Sequence, residues 1–233
     1  MCRLNRTLSW LNKLFLPTPA RYSEDIDLVQ LTAASIGPVF SHLRAVLDPW
    51  LGEPKRHLGP VGASLIYRAT STMPPAQPIR VKIEINTREH FDVLGCERRR
   101  FSVDSPWFCG QADVVTYPLD ELLATKLRAL YQRKKGRDLF DLWLALSTLT
   151  VDDERLVRCF TRYISASDGP VSRAQFEANF HAKLKSAPFL GDVLPLLAPG
   201  LHYDPHVAAA LVSERLLARL PGARWRGGAP EKI

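Results

Sequence analysis

The spacing of apolar residues changes once along this chain, near Pro118, and that change limits what the chain can fold into. Before it, the runs Ser64-Leu65-Ile66-Tyr67-Arg68-Ala69-Thr70 and Ile79-Arg80-Val81-Lys82-Ile83-Glu84-Ile85-Asn86 alternate with period two, as half-buried paired strands do. After it, apolar residues return every third or fourth position, as on helices packed by one face. Pro118 suits the first turn of a helix, and Asp120 and Glu121 suit its positive end. The expected architecture is α+β: a small mixed β-sheet core with flanking helices over residues 1–117, a helical half over 118–221, and a loose tail over 222–233.

Further elements follow from local pattern. Helical apolar spacing at 4–15 ends at Pro17 and Pro19. A short strand is expected at 26–30, a helix at 35–47, and a loop rich in Gly and Pro at 49–62. Weaker strand signals lie at 101–103 and 114–116. In the second half, helices are expected at 118–133, from 137 after an interruption at Gly136, and at 152–164, 172–186 and 205–220.

With 31 Lys and Arg against 24 acids, the formal charge is +7, which favours a polyanionic partner. An Arg-rich composition has the alternative origin of a GC-rich genome. No apolar run approaches the ~18–20 residues that span a bilayer, so no membrane role is expected. Cys2, Cys96, Cys109 and Cys159 form no C-x-x-C pair, which fits reduced thiols in a cytoplasmic protein and gives no zinc site. His202 and His206 have Pro205 between them and no third ligand nearby.

The sharpest local feature is Arg21-Tyr22-Ser23-Glu24-Asp25-Ile26-Asp27-Leu28-Val29. On a strand, Asp25 and Asp27 share one face while Ile26 and Leu28 take the other. Two carboxylates side by side repel unless something positive lies between them. An oxygen-preferring divalent cation, Mg²⁺ or Mn²⁺, meets that need; two solvated acids on an edge strand are the plainer alternative. Glu84 shares a strand face with Lys82 and would complete a three-carboxylate cluster if its strand lay beside the first. Such a cluster suits phosphoryl or nucleotidyl transfer. A surface Lys–Glu face is again the plainer reading.

Lys126 falls on the apolar stripe of Leu119, Leu122, Leu123, Leu127 and Leu130, where an unpaired ammonium is costly. It either snorkels to water or points into a cleft to hold a triphosphate. In Arg133-Lys134-Lys135-Gly136-Arg137-Asp138-Leu139-Phe140-Asp141, Asp138 and Asp141 share a helix face, and Arg137 is spaced to pair with Asp141. Asp141, between Phe140 and Leu142, needs a cation, and Lys126 is the nearest candidate. The basic run at 133–135 is either a solvated helix end or a contact for an RNA backbone.

Together, R-Y-S-E-D-I-D-L-V at 21–29, V-K-I-E-I-N at 81–86 and E-L-L-A-T-K-L-R-A-L with R-K-K-G-R-D-L-F-D-L-W across 121–143 resemble the AbiEii/AbiGii-type nucleotidyltransferase toxins, within the polymerase-β-like nucleotidyltransferases. The resemblance covers roughly 12–147. It implies a nucleotidyltransferase core in the first half. It also implies Asp25 and Asp27 as catalytic Mg²⁺ (or Mn²⁺) ligands with Glu84 as a third, Lys126 on a nucleotide phosphate, and Asp141 as an essential acid. Arg137 and Asp138 belong to the same last motif and to nucleotide binding. The implied reaction transfers a nucleoside monophosphate from NTP to a tRNA 3′ end. The implied partners are tRNA or other RNA and a cognate antitoxin, with regulatory phosphorylation at Ser23.

One part of the family pattern is missing. A Gly-Gly/Ser-Thr turn, whose amides meet the triphosphate, is expected about fifteen residues before Asp25. The chain there reads Thr7-Leu8-Ser9-Trp10-Leu11-Asn12-Lys13-Leu14, without glycine. That reading leads to the expectation of an N-terminally truncated chain. It keeps two alternatives open: an impaired remnant acting as a binding module, and an unrelated basic nucleic-acid-binding domain.

Overall fold

The computed structural model describes residues 6–7, 11–23, 25–30, 32–60, 62–72, 74–106 and 108–228. Cys2, residues 8–10 of the expected glycine-turn region, and the last residues of the tail lie outside these. The chain is α+β and divides into two compact units. The first holds residues 1–17, 23–92 and 96–117; the second holds 18–22, 93–95 and 118–233.

The first unit is built on a seven-stranded mixed sheet in the order β3-β4-β5-β2-β1-β7-β6. Its strands are β1 (Arg6–Thr7), β2 (Asp25–Val29), β3 (Lys55–Leu58), β4 (Gly62–Thr70), β5 (Pro78–Asn86), β6 (Glu97–Ser105) and β7 (Phe108–Thr116). β2 runs parallel to β5, and β1 parallel to β7; β3–β4, β4–β5, β6–β7 and β1–β2 are antiparallel. The helices of this unit are α1 (Leu11–Leu14) and α2 (Gly37–Leu51).

Alternation along β2, β4 and β5 gives this sheet one apolar face. Leu28, Ala63, Leu65, Tyr67, Ile83 and Ile85 pack with Val39 and Phe40 of α2 into one cluster. α2 runs past Pro49, where a loop is expected from sequence. Pro49 and Ala45 face solvent, so water can satisfy the carbonyl that proline leaves without a donor, while Leu51 still packs on the cluster. Helical spacing at the start of the chain is likewise overridden. Arg6–Thr7 bonds β2 on one side and β7 on the other, and among the described residues of this stretch only Leu11–Leu14 is helical.

The second unit contains α3 (Leu119–Gln132), α4 (Gly136–Thr148), α5 (Asp153–Ser167), α6 (Arg173–Leu184), α7 (Ala187–Gly191) and α8 (Pro205–Arg215). Leu122, Leu123 and Leu127 of α3, Leu139 and Phe140 of α4, and Leu156, Phe160 and Tyr163 of α5 are buried. Asp152 caps α5, Ser172 and Gln175 form a capping box on α6, and Asp204 caps α8. The carbonyls of Leu130 and Tyr131, at the end of α3, accept from the buried Lys183 ammonium. Glu121 is fully buried and accepts the amides of Val93 and Leu94, each at 2.8 Å, and the Tyr163 hydroxyl at 2.6 Å. Gly136 opens α4 so close to the Phe189 carbonyl that a β-carbon would lie 2.1 Å from it.

Candidate active site

Each unit holds one group of the residues singled out by sequence. On the sheet, the face opposite the apolar cluster carries Asp25 and Asp27 of β2. Parallel register sets Asp25 beside Lys82 and Asp27 beside Glu84. The three acids of the expected cluster therefore share one face. Lys82 makes an ion pair with Glu84, and Arg80 lies 3.7 Å from Asp25. Burial pushes the Asp25 carboxyl above its ordinary pKa; Glu84 and Asp27 push it the same way, against Lys82 and Arg80. Ser23, two residues before β2, is half-buried.

These residues fit a hard divalent cation. Mg²⁺ is commonly held by one or two carboxylates, with waters and substrate phosphates completing its shell. Asp25 and Asp27 supply two on one face, and a bound cation would favour the charged Asp25 carboxylate that burial, and after it Glu84 and Asp27, disfavour. Among the described residues, no three Asp, Glu, His or Cys side chains are gathered to hold a metal by themselves. Glu84 is engaged by Lys82.

In the helical unit, Asp141 is buried on α4 and Lys126 is buried on α3. Their charged atoms are 3.1 Å apart, so the cation that Asp141 needs is the lysine on the leucine stripe. A second cation comes from Arg21. Its guanidinium donates Nε–H and Nη2–H to the two oxygens of Asp141, both at 2.7 Å. Burial pushes the Asp141 carboxyl up, but Lys126 and Arg21 outweigh it and hold the group below the usual carboxylate range.

Sequence reasoning assigned Arg21 no role. Its signal was indirect: a carboxylate on the core face of α4 requires full charge compensation, and one lysine supplies only part of it. Arg137, spaced for Asp141 on the helix, pairs instead with Asp192, whose carboxylate also takes the Arg137 amide at 3.1 Å. Asp141 already has three donors from Arg21 and Lys126, while Asp192 meets both the backbone and side chain of Arg137. Asp138 is buried and held by two bonds from Arg133 at 2.7 and 2.8 Å. Lys134 and Lys135 remain exposed beside it.

Cys96 and Cys109 are exposed and Cys159 is buried. Among the described residues, no helix is long and apolar enough to cross a membrane.

Residues 9–212 match the family described as nucleotidyl transferase AbiEii toxin, type IV toxin–antitoxin system. In fold the chain is similar to MenT4, a nucleotidyltransferase toxin from Mycobacterium tuberculosis H37Rv, with 18% identity, 94% of this chain and 76% of that one covered, and a TM-score of 0.63. It also aligns with a putative nucleotidyltransferase from H. pylori at 15% identity, covering 84% of this chain and 76% of that one, with a TM-score of 0.46. No curated protein sequence matches the chain.

Proposed function

The chain belongs to the AbiEii nucleotidyltransferase toxin family, and from that premise we propose that it transfers a nucleoside monophosphate from a nucleoside triphosphate to the 3′ end of a tRNA. The observation that carries this reading is that Asp25, Asp27 and Glu84 share one sheet face, with Asp27 and Glu84 directly adjacent in register. The family is that of toxin–antitoxin systems, so a cognate antitoxin is the expected protein partner.

Asp25 and Asp27 would hold Mg²⁺ or Mn²⁺, with Glu84 on the neighbouring strand. When bound, the cation supplies Lewis-acid stabilisation of phosphate charge and a lowered pKa for the attacking hydroxyl. The tRNA 3′ oxygen forms a bond to the α-phosphorus, the α–β bridging bond breaks, pyrophosphate leaves, and the hydroxyl proton passes to solvent. The two strands fix the carboxylates on a rigid ladder, which keeps them aimed as charge develops.

Lys126 is assigned to a nucleotide phosphate on the strength of the family resemblance; its own geometry supports a second task, balancing Asp141. Asp141 then acts by holding Lys126 and Arg21, and is a positioning residue. Arg137 and Asp138 act on nucleotide binding through the α3–α4 turn that their ion pairs fasten. A phosphate on Ser23 would bring about −1.5 to −2 charges close in sequence to Asp25 and oppose the anionic substrate, which is the proposed regulation.

The test is incorporation of each labelled nucleoside triphosphate into total tRNA with Mg²⁺, comparing the native chain with Asp25→Asn. The native chain should label tRNA. The variant should lose about a hundredfold or more of that rate and melt at the same temperature. Transfer by Asp25→Asn at the native rate, or no labelling by the folded native chain, overturns the reading.

A further inference from the structure

The face that carries Asp25 and Asp27 is sorted by charge. Strand register lays it out in rows. Arg68 of β4 stands directly opposite Arg80 of β5. The next row holds Ile66, Lys82 and Asp25, with Lys55 of β3 beyond Ile66. The row after that holds Ser64, Glu84 and Asp27. From residue 80 to residue 84 of β5, the face therefore passes from two arginines, through a mixed row, to two acids.

Like charges directly opposite one another destabilise a sheet. At the acidic end, a cation accounts for the arrangement. At the other end, folding gives no reason to set two arginines side by side. Both are exposed, and the Arg80 guanidinium reaches toward the acids, 3.7 Å from Asp25 and beyond hydrogen-bond length. A planar guanidinium offers paired donors that match a phosphate, and two of them facing each other match a chain of phosphates. One row along a strand is about 7 Å, so a nucleotide held at the Asp25 row has its anionic tail within reach of the arginines.

We propose that Arg68, Arg80 and Lys82 form a subsite for the β- and γ-phosphates of the incoming nucleoside triphosphate. The subsite sets the direction of the nucleotide on the sheet: phosphate tail over the arginine row, sugar and base toward Glu84 and Asn86. The inference rests on the proposed placement of the nucleotide at Asp25 and Asp27. It adds Arg68 and Arg80, which no motif named, gives Lys82 a role that its motif did not, and gives the departing pyrophosphate a place on the chain's own surface.

The experiment is titration calorimetry of the full chain and of Arg68→Gln/Arg80→Gln. The probes are Mg²⁺ with inorganic triphosphate, and Mg²⁺ with a nucleoside triphosphate whose α–β bond cannot be cleaved. Binding of tRNA is measured in parallel. The double variant should bind both triphosphates about a hundredfold more weakly, tenfold for each lost contact, and bind tRNA within about twofold of the native chain. It should melt no lower, because a like-charge pair has been removed. Arg68→Lys/Arg80→Lys, which keeps the charge but not the fork, should fall between. Native-like triphosphate binding by the double variant overturns the subsite, as does a loss confined to tRNA, which would assign the arginines to the RNA backbone. A native chain that binds no nucleoside triphosphate with Mg²⁺ overturns the proposed function as well, and so is a distinguishable failure.

Discussion

Charge is concentrated in two places in this protein, on opposite terms. In the helical unit, Asp141 receives two guanidinium bonds from Arg21 and an ammonium from Lys126, and no side chain among the three is more than 9% exposed. Unlike signs meet, donors match acceptors, and nothing from outside is needed. On the sheet, Arg68 faces Arg80 and Asp27 faces Glu84, like against like, on side chains that solvent reaches. The first arrangement is a fastening that is complete in the free protein. The second sets like charges in facing pairs, offset only by exposed contacts such as Lys82 with Glu84. Both groups contain motif residues, so sequence alone does not tell a residue that acts on substrate from one that holds another in place.

Breaking the fastening should have the largest effect on stability. Asp141→Ala leaves two buried cations without a counter-charge, and denaturant unfolding should show a loss of about 3–5 kcal/mol. Acid sharpens the same point. The Asp141 carboxyl is held below its ordinary value of 3.8 in the folded chain, with burial opposing and Lys126 and Arg21 prevailing. As pH falls, the unfolded chain therefore takes up this proton first. The stabilisation is complete above about pH 4 and is lost as pH drops through the folded value. The stability gap between the native chain and Asp141→Asn, followed from pH 6 downward, should hold to about pH 4 and then narrow. A gap that stays constant into strong acid would show that the carboxylate charge is not what fastens Arg21.

A smaller effect is expected where the helical unit depends on close approach without charge. Gly136→Ala places a β-carbon against the Phe189 carbonyl, and about 1–3 kcal/mol should be lost in thermal or chemical unfolding. The smallest effect belongs to the sheet face. Glu84→Gln removes one of two facing acids and one exposed ion pair, and unfolding without ligand should change by less than about 0.5 kcal/mol. A loss as large as that of Asp141→Ala would mean that the sheet charges are structural too, and the contrast between the two regions would fall.

Much of this was legible from residues alone where one face is apolar and the other is not. The strands at β4 and β5 and the helices α3 to α6 follow their apolar spacing closely. β3 was hidden, because Lys55-Arg56-His57-Leu58 is an edge strand exposed at every position and so has no alternation to read. β6 and β7 run well beyond the short stretches expected, since three consecutive arginines in Glu97–Ser105 obscure the pattern that their pairing restores. At the sites, the shared face of Asp25 and Asp27 follows from strand period, and the partnership of Lys126 with Asp141 from a misplaced charge. Arg21 did not follow. Its partner is 120 positions away, and only the fold brings them together.

The division of the chain into units has a consequence for how it can be cut. The boundary is crossed five times, at 17/18, 22/23, 92/93, 95/96 and 117/118. The short excursions carry Arg21, which donates twice to Asp141, and the amides of Val93 and Leu94, which donate to Glu121. A fragment starting at residue 118 would keep Lys126 against Asp141 and the Tyr163 hydroxyl against Glu121, but it would lose the Arg21 guanidinium and both amides, leaving each buried carboxylate short of donors. The helical unit cannot be lifted out as a portable piece. An engineered split placed before α3 would part Asp141 and Glu121 from Arg21 and from the amides of Val93 and Leu94, although all of these belong to the helical unit.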